Sequence, residues 1–334
     1  MNRIMRKYHL LSFLLIIPVW TSLNSQDTVK MRSEYLPDID GIIKTKVEFD
    51  LDNSKMRFDV RNARFGVTGK INDFMSYRAQ IDINDEGKSK MLDAYIKVTP
   101  FPNLDIFLGQ RKLPFSSDYL RNPIENIFAN RSFLTKYIND GMRDIGLFAD
   151  YKLPSDIPLE IFLGAGNGTG GNNPQWISRP NLIGRLIAGP FKGLRIAGNI
   201  LFGEKEFRED MSMTGVEARY STGAFFIESE YIRRSWTDTL TLRQQDDGIY
   251  IHSYYNFTVD NKVFRLITPT ARWDFIGKSV LGNEVDANRI TLGVNFGFEA
   301  KQFYSELRLN YENYFKSSLP VHTDKFTIEL VGRF

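Results

Sequence analysis

The chain reads as all-β, a transmembrane antiparallel β-barrel of about sixteen strands. Three observations predict it. From residue 40 onward, apolar and polar residues alternate with period two in segment after segment, each bounded by turn residues. Aromatic residues reach 13% while hydrophobic residues are only 42%. That combination fits strands whose alternate residues face lipid, with aromatics at both interfaces. Tight turns also alternate with longer polar loops, the asymmetry of an outer-membrane barrel.

The N-terminus predicts export. Arg3, Arg6 and Lys7 precede an apolar run, Leu10 to Val19, and then small polar residues to Ser25. This is the layout of a secretory signal, and the run is too short to span a bilayer as a helix. The expected organisation is a signal peptide over 1–25, a short segment over 26–37, and one barrel domain over 38–334. No later helix offers a stop-transfer signal. The 43 bases less these three equal the 40 acids, so the remaining chain is neutral and no nucleic-acid partner is indicated. There is no Cys and only three scattered His, so no metal or other cofactor is expected.

Taken in order, Ile43, Thr45, Val47 and Phe49 alternate with Lys44, Lys46, Glu48 and Asp50. Phe58 and Val60 oppose Arg57, Asp59 and Arg61; the phase then slips at Asn62–Ala63, which reads as a β-bulge. Met75 to Ile83 is the cleanest alternation. Asn84 to Lys90 reads as a polar loop, Leu92 to Val98 as the next strand, and Leu104 to Lys112 as its return. After the lapse from Leu113 to Gly141, strands follow near 145–151, 159–166, 182–189, 194–203, 212–221, 224–236, 248–258, 263–275, 288–298 and 303–314. Lys325 to Phe334 closes the series. Its apolar face carries Phe326, Ile328, Leu330 and Phe334, and it is expected to pair with Ile39–Asp50 and close the barrel. Closure removes both sheet edges, as hydrocarbon demands of a spanning sheet. The terminal aromatic resembles the signal read by the outer-membrane assembly machinery.

With apolar faces toward outer-membrane lipid, the polar faces line an interior carrying charges of both signs. A barrel of this size leaves an aqueous channel, and passive diffusion of small polar solutes follows. The 29-residue segment Leu113–Gly141, the third outer loop, is long enough to imply function. Its apolar residues, among them Phe128, Phe133, Leu134 and Ile138, predict that it folds inward and narrows the pore. Candidate pore-lining and constriction residues are Arg57, Arg61, Arg64, Arg78, Lys97, Arg111, Arg121, Arg131, Lys136 and Arg143. Arg131 and Arg143 have two roles open to them, contact with a permeating anion or pairing with Glu125, Asp140 or Asp144. Lys112 reads as a rim residue.

GQRKLPFSSDY (Gly109–Tyr119), ANRSF (Ala129–Phe133) and GMRDIGLF (Gly141–Phe148) resemble the phosphate-selective porin O and P family. ARFGVTGKI (Ala63–Ile71), DAYI (Asp93–Ile96) and GRLIAGP (Gly184–Pro190) extend the resemblance. It implies a trimeric, sixteen-stranded outer-membrane porin for small polar or anionic solutes, phosphate among the candidates, with the long loop as its constriction. The loop departs from the strongly basic constriction implied for phosphate selectivity, since Arg121, Arg131 and Lys136 face Asp118, Glu125 and Asp140. The competing expectations are a barrel enzyme of phospholipase type and a structural barrel. The first would need a base such as His252 beside a nucleophile, yet Ser253 points to the opposite face and no GxSxG sequence occurs. The second would need a plug longer than the residues before Asp40 supply.

Overall fold

The computed structural model describes residues 35–85, 88–139, 143–205, 208–298, 304–317 and 323–334. The expected signal peptide, the turn at Ala300–Gln302, His322 and the end of the long loop at Gly141 lie outside the described residues. The strands are β1 (Asp38–Asp50), β2 (Lys55–Asn72), β3 (Met75–Asp85), β4 (Lys88–Phe101), β5 (Leu104–Lys112), β6 (Arg143–Leu153), β7 (Leu159–Gly166), β8 (Asn181–Ala188) and β9 (Leu194–Lys205). They continue as β10 (Arg208–Thr222), β11 (Phe225–Thr237), β12 (Arg243–Tyr255), β13 (Phe257–Thr258), β14 (Leu266–Ser279), β15 (Glu284–Phe298), β16 (Tyr304–Ser317) and β17 (Lys325–Arg333). Consecutive strands pair antiparallel, and β1 pairs with both β2 and β17, so the sheet is a closed barrel. The two-residue β13 pairs with β14 alone, past the end of β12, so the wall has sixteen staves. No helix among the described residues is long and apolar enough to cross a membrane; the strands of a barrel do so instead.

Period-two patterning becomes two distinct surfaces. Phe58 at 77% exposure, Leu108 at 66% and Val216 at 60% stand outside. Asp274, Arg308 and Glu329, at 0%, stand on the other face. The phase slip in β2 is real: Lys44 pairs with Asn62 and Thr45 with Val60, so Arg61 is the extra residue. The bulge keeps Phe58 and Phe65 on the outer side although they stand seven positions apart, an odd spacing.

The regular alternation of loop length does not hold. Only two residues separate β3 from β4 and β9 from β10, and four separate β1 from β2 and β14 from β15. The expected loop Asn84–Lys90 is mostly ladder. The reason is strand length. β2 has 18 residues and β10 and β15 have 15 each, whereas a tilted strand needs about 9–11 to cross the hydrocarbon. The surplus at the strand ends is rich in polar residues, as in Lys55–Arg57 of β2 and Arg208–Asp210 of β10, which in sequence looks like loop.

Closure occurs between the expected strands. Ile42 lies opposite Arg333 and Asp50 opposite Lys325. Gly41 and Phe334 exchange both backbone hydrogen bonds, at 2.8 and 3.1 Å. The Phe334 ring lies over Gly41 and meets Phe65 edge-on at 5.9 Å. A Cβ on residue 41 would stand 2.3 Å from that ring. Gly41→Val therefore displaces Phe334 from the seam, and slower folding into detergent or liposomes than wild type is expected, with normal refolding counting against this role of the glycine.

Candidate functional site

The segment between β5 and β6 has little regular structure, so its backbone groups must find partners elsewhere. Local capping accounts for some. Ser116, with φ of 71°, caps the single helical turn Ser117–Leu120 by accepting from the Tyr119 N–H at 3.2 Å. Ser132 likewise accepts from the Thr135 N–H at 3.3 Å, ahead of the π-turn Leu134–Ile138. The Asp118 carboxylate joins the two turns. It accepts from the Ser132 and Thr135 hydroxyls, both at 2.6 Å, with Arg121 at 3.4 Å and Arg131 at 3.8 Å. Burial would raise this carboxyl, but Arg131, Arg121 and the two hydroxyls hold it well below the usual carboxylate range.

The remaining carbonyls accept from arginines on the polar face of the wall. Arg308 on β16 donates to the Ile124 carbonyl at 2.8 Å. Arg272 on β14 donates to that of Asn130 at 3.0 Å, and Arg289 on β15 to that of Arg131 at 3.0 Å. Arg234 on β11 donates to that of Ile138 at 2.8 Å. In return the Ala129 N–H donates to Asn310 at 2.7 Å, and the Phe133 N–H to Asp274 at 2.8 Å. Each arginine also meets acid: Asp274 accepts from Arg272 at 3.0 Å and Arg289 at 2.9 Å, and Arg308 pairs with Glu306 and Glu329. Apolar anchoring completes the attachment. Phe115, Phe133, Leu134 and Ile138 are buried with Ile232, Tyr250 and Ile276 of the wall. Gly248 on β12 leaves room for Leu134, whose Cδ2 would lie 2.6 Å from any Cβ there.

The ten basic residues singled out in the sequence separate into paired and unpaired groups. On β2–β6 most are paired. Arg57 bonds Glu48 at 2.6 Å and Arg64 bonds Asp82 at 2.8 Å. Arg78 grips Asp40 with both terminal nitrogens, and Arg111 grips Asp150 the same way. Lys97 meets Asp105 at 3.3 Å, and Arg143 meets Asp93 at 3.0 Å. Of the partners considered for Arg143, neither Asp144 nor Glu125 is the one observed. On the segment itself, Arg121 pairs with Glu228 as well as Asp118. Arg61 at the bulge is exposed, and Lys136 is exposed over the Tyr137 ring at 4.9 Å. Neither makes an ion pair among the described residues.

Two cations are held in another way. Lys112 is not a rim residue. Its ammonium donates to three carbonyls, those of Tyr119 at 2.9 Å, Leu120 at 3.0 Å and Arg121 at 2.9 Å. Arg131 donates to the carbonyls of Asp118 and Arg121, the latter at 2.8 Å. These are the C-terminal carbonyls of the helical turn, which favour cations. Both side chains remain partly exposed. Burial lowers Arg131 and Asp118 raises it; with the Arg121 and Arg64 charges added it comes down to about 10 and stays charged at neutral pH. Lys112 was missed because a cation cradled by carbonyls leaves no acidic partner to notice in the sequence. The only signal was its position one turn before a serine-capped helix.

His252 is buried and stacked on Tyr250 at 5.4 Å and Phe226 at 5.7 Å, with Phe128 edge-on at 5.7 Å. No group of three His, Cys, Asp or Glu suited to a metal ion occurs among the described residues.

Residues 39–175 match the family model described as phosphate-selective porin O and P. No curated protein sequence matches the chain. Among solved structures, an anion-selective porin from Comamonas acidovorans shares 9% identity, with 90% of this chain and 99% of that one covered and a TM-score of 0.63. Salmonella typhi OmpF, in complex with daunomycin, shares 12% identity, covering 90% and 98%, with a TM-score of 0.64. The trimer form of the Vibrio cholerae outer-membrane protein OmpT shares 13% identity, covering 90% and 99%, with a TM-score of 0.62. At these identities the likeness is one of fold.

Proposed function

We propose that this outer-membrane porin, which resembles the phosphate-selective porin O and P family over residues 39–175, passes small anions by a constriction that its own long loop makes. The observation that carries this is the bonding of the segment after β5. Its carbonyls accept from Arg234, Arg272, Arg289 and Arg308 on the polar face of β11, β14, β15 and β16. A segment so bonded occupies the lumen along that wall and leaves the β2–β6 side for solutes. There Arg64, Arg78, Arg111 and Arg143 are matched by acids, whereas Lys112 is held by neutral carbonyls that do not cancel a charge, and Arg131 is held by carbonyls with Asp118, an acid it shares with Arg121, 3.8 Å away. The passage is thereby biased toward anions. Of the ten basic residues singled out in the sequence, those on β2–β6 serve as the solute-facing wall. Arg121 fixes the segment, and Arg131 contributes charge.

The enclosure of His252 by Phe128, Phe226 and Tyr250 supports a channel without enzymatic chemistry. A homotrimer is supported by the trimer form of OmpT. The exposed apolar groove lined by Val47, Phe58, Val60, Ile328 and Leu330 along the β17–β1–β2 seam suits lipid or a neighbouring subunit. Residues 38–334 form the barrel domain, with 1–25 as its export signal and the Phe334 strand as its address for the assembly machinery. Purified protein in planar bilayers is expected to give stepwise conductance and, in a salt gradient, a reversal potential of anion-selective sign. Absence of steps would overturn the channel, and a cation-selective potential would overturn the anion bias.

A further inference from the structure

Beyond the constriction, the polar face of β11 and β12 carries a column of rings. Tyr250, His252 and Tyr254 occupy alternate positions of β12, so their side chains share one face. Phe226 lies directly opposite Tyr254 in the register. The rings stack in sequence: Tyr250 on His252 at 5.4 Å and 10°, His252 on Phe226 at 5.7 Å and 18°, Phe226 on Tyr254 at 4.8 Å and 14°. The loop end of this column is sealed, since Tyr250 and His252 are buried and Phe128 abuts His252 edge-on. The other end is open. Tyr254 is half-buried, touches no further ring among the described residues, and its hydroxyl makes no hydrogen bond there.

Arg219 on β10 stands beside this open end. It shares the inward parity of buried Glu217 but is itself exposed. It pairs in register with Glu228, and Ser221 pairs with Phe226, which makes Arg219 a diagonal neighbour of Phe226 at roughly 7–8 Å between backbones. Its cross-strand neighbour Glu228 is engaged by Arg121 and the Tyr250 hydroxyl. Arg219 makes no ion pair among the described residues. A flat apolar surface next to an uncompensated guanidinium is complementary to one kind of solute, a planar ring bearing an anionic group. Tightly packed wall residues would not leave either group available.

We infer that Phe226 and Tyr254, with Arg219, form a stacking platform in the lumen for ring-bearing anions, where such solutes pause during passage. This rests on the channel reading above. The test is current block in planar bilayers by phenyl phosphate, butyl phosphate and inorganic phosphate. Phenyl and butyl phosphate carry the same charge and differ in the ring. Wild type is expected to be half-blocked by phenyl phosphate at a concentration about threefold or more below that for butyl phosphate, the scale of a single aromatic contact. In Phe226→Leu/Tyr254→Leu, and to a lesser degree in Tyr254→Leu alone, the two should converge while open-channel current and the response to inorganic phosphate stay as in wild type. Arg219→Gln should weaken block by both organic phosphates equally and keep their ratio. Equal block of wild type by phenyl and butyl phosphate, or a ring advantage that survives the double substitution, would overturn the platform while leaving the channel reading intact. Absence of any channel would overturn both.

Discussion

Asp274→Ala is expected to increase open-channel current and to weaken the barrel together. Asp274 is fully buried and serves three donors, the Arg272 and Arg289 guanidinia and the Phe133 N–H. Removing one partner of a buried charged pair costs on the order of 3–5 kcal/mol, because the remaining charge is left desolvated and uncompensated. Here two guanidinia are left at once, and both also hold the loop through its carbonyls. The cheaper outcome is for the segment to detach, letting water reach Arg272 and Arg289 and widening the path. Urea unfolding from liposomes would read the loss of stability, and single-channel recording would read the wider path. Asp274→Asn keeps an acceptor for Phe133 and should fall between. Arg179→Ala, which breaks exposed ion pairs to Glu204 and Asp210, should be close to wild type in both assays, because solvent screens exposed pairs. Lost stability with unchanged current would mean that the segment does not restrict flow.

The same residues show what was legible in sequence. The barrel was legible because the two sides of each strand carry opposite chemistry, apolar outside and polar inside, and that contrast is written into every second residue. The bulge in β2 was visible for the same reason, as a slip in phase read at Asn62–Ala63, one residue past the extra residue Arg61. That the long segment packs on the wall was legible from apolar residues such as Phe133 and Leu134 inside an otherwise polar stretch. The division of the basic residues was not. Arg64 and Lys112 look alike in the chain, yet one faces Asp82 across a strand pair and the other reaches over a turn to three carbonyls. Partners of that second kind are backbone, and any residue supplies them. The aromatic column escaped notice because its members sit on two strands, and only the register of Phe226 against Tyr254 brings them together. Outer loop length misled, since the ends of long strands carry the polar composition of loops.

The carbonyl-held cations lead to the second large effect. Lys112→Met/Arg131→Met is expected to move the reversal potential strongly toward cation selectivity. A unit charge about 6 Å from a passing ion in water contributes roughly 0.7 kcal/mol, or about threefold in partition. Two charges therefore amount to about tenfold in favour of anions and about tenfold against cations, or on the order of a hundredfold in the anion-to-cation permeability ratio. Ion pairs elsewhere on the passage wall should contribute far less, since Arg111 with Asp150, or Arg78 with Asp40, presents a dipole and not a net charge. Replacing Arg111 by Met should thus expose an acid and shift selectivity by no more than one charge. The confounding effect is structural. Without the ammonium the carbonyls of Tyr119, Leu120 and Arg121 lose their donor, and the turn could loosen. Lys112→Arg separates the two, because it keeps the charge while changing the geometry of the cradle. If charge decides selectivity, Lys112→Arg holds the wild-type reversal potential whatever happens to its conductance. If Lys112→Arg and Lys112→Met shift the potential alike, the cradle acts through the shape of the loop, and the anion bias must reside in the exposed bases Arg61 and Lys136.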